Sequence, residues 1–315
     1  MFQLKNGPFI HALGYVARPD CSVHMVGISD SQPDDLPIVI ADDGTVTTTH
    51  PLAPERMLEP LPRDVLKASG VARARNSAKS TIYAALVAQE FNRKLEDQPG
   101  YDPDRVVIGI SNCSASASIS WEYETEGVTI GWRDTNTMLM PSALPSAIGT
   151  QISAAIKTHN ATITFLNDIL GMCAAVEYTH VNFFHDRADD AFLIAGEELS
   201  VPHAKVKEAK SQLFIVDCDG ASGLLLSRNR IGDQAWQMVL FRHAPNADDI
   251  VIPQEWNDVP VLRLTIPEHQ SAFSTLVMPY AVHKICSNKS SDRGILIISV
   301  ENRSSFAMGF QLTGK

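Results

Sequence analysis

Cysteines, carboxylates at structural junctions and a few histidines are the side chains of this sequence that could do chemistry. The five cysteines (Cys21, Cys113, Cys173, Cys218 and Cys286) are widely spaced and form no C-x-x-C pair. Neither a zinc site nor a disulfide framework is expected. Cys113 lies in the small-residue loop Ser111-Asn112-Cys113-Ser114-Ala115-Ser116, a place where a thiol could be a nucleophile, but no histidine stands nearby in sequence to activate it. Cys173, among Met172, Ala174, Ala175 and Val176, reads as a packing residue. Asp168, with Asn167 before it, stands between the apolar run Ile163–Leu166 and a helical pattern. That is the place of an N-cap, and an anion there could also contribute to a pocket floor. Asp186, Asp189 and Asp190 cluster before another apolar run and read as a solvated strand entry rather than a cation site. Asp217 and Asp219, with Gly220 and Gly223, read as a polar turn, because no helix start with Lys-Ser/Thr follows. No metal and no cofactor is expected.

Alternating strands and helices must position these residues. Phe9–Val16 reads as a strand, and Ser29–Pro54 as irregular loop with a short strand at Ile38–Ala41. Pro62–Leu66 begins a short helix. Ser77–Glu96 gives a longer one, with Ile82, Ala85, Leu86, Ala88 and Phe91 at helical spacing. Val106–Ile110, Ala161–Leu166, Ala191–Ala195 and Gln212–Val216 are short apolar runs of the kind buried on both faces of a sheet. The second of them leads into a helix from Ile169 to Phe184. Beyond residue 228, apolar runs at Val239–Phe241, Val259–Thr265 and Ile295–Val300 are separated by polar, Pro-containing stretches. The class is α/β with a mixed, covered sheet.

With 315 residues the chain can bury a sizeable core, and 44% hydrophobic with 20% charged residues is an ordinary globular composition. A net charge of -10 argues against sequence-independent binding to nucleic acid, although a local basic patch could still meet an acidic carrier protein. The first residues carry no signal-peptide pattern, and no apolar run approaches a membrane span, so a cytoplasmic location is expected.

Several segments, in order, carry a family likeness. Gly149–Ile156 is followed by a turn at His159-Asn160 and by Ile163-Thr164-Phe165-Leu166-Asn167-Asp168-Ile169-Leu170-Gly171. Next come His185-Asp186-Arg187-Ala188-Asp189-Asp190 and Ala191-Phe192-Leu193-Ile194-Ala195-Gly196-Glu197-Glu198, then Asp217–Leu226 and Ser299–Phe310. This order resembles the β-ketoacyl synthases. They place a nucleophilic cysteine between strand and helix, an Arg-Ala-Asp run before an Ala-Gly-Gly-Glu strand end, a Gly-Glu-Gly-Ala-Gly segment and a C-terminal Gly-Phe-Gly-Gly turn. The likeness covers residues 9–228 and the C-terminal segment. It implies a thiolase-like layered αβαβα fold with a shortened second half, divided as 1–205 (ketosynthase-like) and 206–315 (reduced).

The departures from the family concern its chemistry. The family's cysteine stands three residues before the helix glycine. Counting back from Gly171 gives Asp168, with Asn167 the adjacent register. A carboxylate is a poorer nucleophile than a helix-terminal thiolate, and its acyl adduct, a mixed anhydride, would hydrolyse before condensing. The family's two histidines, in His-Gly-Thr-Gly-Thr and Asn-x-Gly-His contexts, have no counterpart. His243, His269 and His283 lie in Arg-His-Ala-Pro, Glu-His-Gln and Val-His-Lys instead. Catalysis by this chain alone is therefore not expected.

The resemblance implies a chain-length factor: a ketosynthase-like subunit of a type II polyketide or aryl-polyene system that forms a heterodimer with an active ketosynthase and serves acyl carrier protein. By analogy Thr162, Thr164, Phe165, Leu166, Gly171, Met138 and Met140 would shape the dimer interface and the acyl tunnel. An obligate heterodimer is expected, because a lone half would expose backbone edge and apolar surface. Two other functions fit the same residues: a stand-alone acyl hydrolase or transferase using Cys113 or Asp168, and a homodimeric carrier-protein scaffold.

Overall fold

The computed structural model describes every residue except 1, 5–6, 19, 50–58, 114–115, 145, 200–217, 233, 272–273 and 315. The chain opens with β1 (Phe2–Gln3), β2 (Phe9–Ala17), β3 (Val23–Gly27), β4 (Ile38–Ile40) and β5 (Val46–Thr48). Helices α1 (Arg63–Ala68) and α2 (Lys79–Glu96) lead to β6 (Val106–Ser111). Then come α3 (Ala117–Ile130), α4 (Met140–Ala143), α5 (Ala147–Ile156), β7 (Thr162–Phe165) and α6 (Ile169–Phe184). Strands β8 (Asp190–Glu197), β9 (Gly220–Ser227), β10 (Ala235–Ala244) and β11 (Val261–Ile266) follow, and α7 (Val277–Cys286), β12 (Arg293–Val300) and β13 (Ser305–Thr313) close the chain.

The main strands lie in the order β7-β6-β8-β9-β2-β10-β13-β12-β11, with β3 beside β2 and β1 beside β10. Strands β2 and β10 share two residue pairs, Trp236 with Ile10 and Gln237 with Phe9, so the sheet divides there into two halves. The alternation of side chains along each strand sends successive residues to opposite layers. From the first half, Ile108, Phe192 and Leu225 pack under α2 and α5. The other face contributes Leu193 and Leu224 to a central layer built on α6 and α7. Leu296, Ile298 and Met308 of the second half close that layer from below. On the second half's outer face, Leu240, Ile295, Ile297 and Ala307 are covered by Trp256 and its neighbours Ile250, Ile252 and Val259. Two 3-10 turns, Ala247–Asp249 and Gln254–Trp256, carry that cover where the fifth layer belongs. The layering is α-β-α-β with a reduced outermost layer.

Three local expectations change. Ser29–Pro54 holds a hairpin of β4 and β5 rather than a lone strand, turned at Asp42-Asp43-Gly44, where Gly44 has φ +86°. An added Cβ there would lie 1.9 Å from the Arg263 carbonyl oxygen, so only glycine fits. Strand β3 pairs with β2 through a polar-flanked stretch that had no strand pattern. Most important, β7 is not buried on both faces. It is the end strand of the first half, and all four of its residues are half-buried. The apolar run was real, but sequence cannot say whether its cover comes from the same chain. The strand expected at Gln212–Val216, Asp217 and the 205/206 boundary lie outside the described residues.

Candidate functional site

The junction of β7 and α6 is where the sequence resemblance points to a site. Asp168 occupies it with extended backbone (φ -73°, ψ -153°) and is 2% exposed. Its Oδ1 accepts the Leu170 N–H at 3.0 Å, an N-cap. Its Oδ2 is paired with Nη1 of Arg303, and Nη2 of the same guanidinium donates to Asn167 Oδ1 at 2.9 Å. Arg303 comes from the turn at Glu301–Ser304 between β12 and β13, so the second half of the fold reaches across to the first. Gly309 and Phe310 lie beyond that turn, inside β13.

The backbone donors at this helix start are also engaged. Asp168 N–H donates to Asn167 Oδ1 at 3.0 Å and Ile169 N–H to Ser274 Oγ at 3.0 Å. Gly171 N–H donates to the Asp168 carbonyl at 2.9 Å. An oxyanion hole requires N–H groups aimed at open space where a tetrahedral oxygen will form. These three, with that of Leu170, point into their own chain. Gly171 itself sits tightly against β6, and a Cβ there would come within 2.4 Å of Ser111 Oγ.

The remaining candidate residues fall into two groups. Thr162, Thr164, Phe165 and Leu166 line the open edge. Ala161 and Phe165 turn their carbonyls to β6, accepting from Ile108 and Asn112, so alternation leaves the backbone groups of Thr162 and Thr164 on the outer side. Leu166, just after β7, is exposed, as are Val181 and Phe184 of α6. Met138 and Met140 are exposed in the segment that joins α3 to α5, together with Trp132 and Leu144, and Trp121, Val128 and Ile130 are exposed on α3 itself. Exposed apolar side chains are thus concentrated in 121–144 and around β7–α6.

The histidines are dispersed. His243 stacks on Phe306 at 4.4 Å between centroids, within the β10–β13 pair. His283 is buried in α7, where desolvation lowers its pKa. His269 lies in the 3-10 turn Glu268–Gln270. Cys173 is fully buried in α6, and burial, then the Asp168 charge, push its thiol pKa up. Cys113 is exposed, and its N–H donates to Glu197 Oε1 at 2.7 Å. Glu198 accepts from Ser80 N–H and from both N–H and Oγ of Ser118, which ties the end of β8 to α2 and α3.

The acidic cluster is not a solvated entry alone. Asp189 pairs with Arg105 and Arg228, and Asp186 joins both cations. Asp190 is buried and accepts from Ser227 Oγ, and burial pushes its pKa up to about 6. Likewise Asp219 is buried in a strand start rather than an open turn. It accepts the Leu199 N–H at 2.6 Å, lies near Arg18 and Lys79, and is pushed up to about 7 by desolvation. Among the described residues no cluster of three or more metal-ligating side chains forms, and no helix is long and apolar enough to cross a membrane.

No protein-family model matches the chain, and no curated protein does. Solved structures do. The ishigamide ketosynthase/chain length factor superposes with a TM-score of 0.63 at 10% identity, over 98% of this chain and 100% of that one. That likeness extends over the whole layered sheet described above. The fold is thiolase-like, of the ketosynthase kind. A β-ketoacyl synthase from Burkholderia phymatum STM815 matches with a TM-score of 0.59 at 10% identity, over 98% and 99% of the two chains. A complex of a type II polyketide synthase acyl-carrier protein with its ketosynthase, bound to the hexaketide, contributes a chain with a TM-score of 0.59 at 15% identity. That match covers 75% of this chain and 84% of the other. Asp168 stands at the strand-to-helix junction as the N-cap of α6. Sequence reasoning missed Arg303, although it stands in a segment already marked as family-like. The missing information was a contact across 135 positions.

Proposed function

We propose that this chain is a non-catalytic ketosynthase-like subunit, a chain-length factor. It pairs with an active ketosynthase and shapes the acyl-chain tunnel in type II polyketide or aryl-polyene synthesis. One observation carries this reading: the β7–α6 junction holds a carboxylate, with both its oxygens and the surrounding N–H donors already engaged. Such a site neither attacks a thioester nor stabilises its oxyanion. The condensing cysteine and histidines belong to the partner.

The open β7 edge supports the pairing. Among the described residues no strand pairs with the outer side of β7, and its outward N–H and C=O groups, next to exposed Leu166, are a template for a strand of another chain. In the complex Thr162, Thr164, Phe165 and Leu166 meet the partner. Met138 and Met140 line the tunnel with flexible apolar side chains, and Gly171 keeps α6 against β6. Acyl carrier protein delivers the chain. Co-expression of the tagged protein with an intact ketosynthase tests the pairing. A one-to-one complex by native mass is expected, and a lone monomer or a symmetric dimer beside unbound ketosynthase would refute it.

A further inference from the structure

A buried charged cluster lies apart from the Asp168 junction. Asp219, just before β9, has a fully buried side chain. Its Oδ1 accepts the Leu199 N–H at 2.6 Å, which joins the chain just after β8 to the start of β9. Its Oδ2 finds no hydrogen-bond donor among the described residues. Two cations approach that oxygen without reaching hydrogen-bond distance. Arg18 Nη1, just after β2, is 3.7 Å away, and Lys79 Nζ, on the first residue of α2, is 3.9 Å away. Both cations are largely buried, and Arg18 is shared with Glu59, whose carbonyl accepts from Nη1 at 3.2 Å. Glu198 after β8, Cys21 after β2 and Tyr83 of α2 complete the titratable surroundings. The hydroxyls of Tyr83 and Ser80, both on α2, are also buried without a hydrogen-bond partner among the described residues.

A buried carboxylate with one hydrogen bond and no cation in contact is costly in its charged form, and a proton removes that cost. Desolvation has the largest effect on Asp219. Lys79, the Leu199 N–H and Arg18 favour its anion, Glu198 opposes it, and the balance pushes the group up to about 7 from its ordinary 3.8. The closed cluster thus holds the proton more tightly than a locally opened one in which the carboxyl is hydrated. The closed form is most stable below about 4, weakens as pH rises, and levels off above about 7. The groups involved come from β2, α2 and the facing ends of β8 and β9, so opening would release the start of α2 from the sheet. Glu198 accepts from Ser80 and Ser118, which continues the cluster into α3.

We propose that Asp219 is a proton-operated latch: protonated, it holds the start of α2 against the ends of β2, β8 and β9, and on ionising it loosens that contact. Hydrogen exchange of the full-length chain, read by mass spectrometry and corrected for the intrinsic pH dependence of exchange, gives the opening equilibrium of the peptides that hold Lys79–Tyr83 and Leu199. Opening is expected to increase about tenfold or more between pH 5 and pH 8. Asp219→Asn removes that rise. Lys79→Met keeps the titrating carboxyl and moves the midpoint up by about one pH unit, which gives a second test if Asp219→Asn does not fold. Asp190→Asn, at the other end of β8, leaves the midpoint where it is in the parent. A change of less than about twofold across this range in the parent would overturn the proposal. So would a pH dependence that Asp219→Asn retains, or a midpoint that Lys79→Met leaves in place or lowers.

Discussion

The guanidinium of Arg303 closes on the carboxylate of Asp168, bridging the last β-turn of the second half to the first turn of α6. Asp168 is buried and Arg303 is 34% exposed, so the pair is partly screened but still the only charge neutralisation given to that carboxylate among the described residues. Asp168 is thereby a structural strut between the two halves.

Asp168→Ala removes both the cap and the pair. It is expected to lower stability by about 1–3 kcal/mol. Asp168→Asn retains a capping oxygen and costs less. A double-mutant cycle with Arg303→Met, read by urea denaturation, should give a coupling energy of about 1 kcal/mol. Additive losses would mean that the pair contributes nothing.

Asp190 gives a pH signature. Burial raises its pKa from the ordinary 3.8 to about 6, so the folded protein holds its proton more tightly than the unfolded chain. The stability contributed by the protonated form is full below about 4 and is lost as pH rises to about 6. Asp190→Asn cannot ionise. Its melting temperature relative to the parent should therefore rise between pH 4 and pH 7 and then level off. A constant difference across that range would contradict the assignment.

The open edge of β7 can be closed by a backbone change. Thr164→Pro deletes an outward N–H, which an edge strand tolerates. The chain should fold with a melting temperature within a few degrees of the parent, yet lose its complex with ketosynthase in size-exclusion chromatography. Phe184→Glu, at a position 65% exposed, should do the same and reduce self-association of the lone chain.

Cysteine reactivity separates the subunit from a hydrolase. Cys113 is exposed, whereas Cys173 and Cys286 are buried with their thiol pKa values pushed up. Iodoacetamide should label Cys113 first by peptide mass spectrometry. Elongation by the assembled complex should survive Cys113→Ala. A thioesterase activity of the lone chain that disappears with that substitution would favour the hydrolase.

Much of this was legible in the sequence, for physical reasons that differ by element. Helix α6 could be read from Ile169 to Phe184 because Asp168 caps it and apolar residues repeat around it. Val106–Ile110 declared itself by a β-branched, nearly all-apolar run, and Ala191–Ala195 by an uninterrupted apolar one. The same signal misled at β7, because apolar content reports a need for cover and not its source. The β4–β5 hairpin hid in a polar stretch, although Asp43-Gly44 is a turn signal. The Arg303 strut and the engaged donors of Ile169 depend on tertiary contacts with a turn and with Ser274, and no local pattern encodes them.

The central claim is that this chain supports condensation without performing it. The most direct measurement is malonyl-dependent elongation by the purified complex with ketosynthase, comparing Asp168→Ala in this chain with replacement of the active cysteine in the partner. The expected result is elongation that survives Asp168→Ala and disappears with the partner's cysteine. Elongation that persists without that cysteine, or that is lost with Asp168→Ala in a complex that remains assembled, would contradict it.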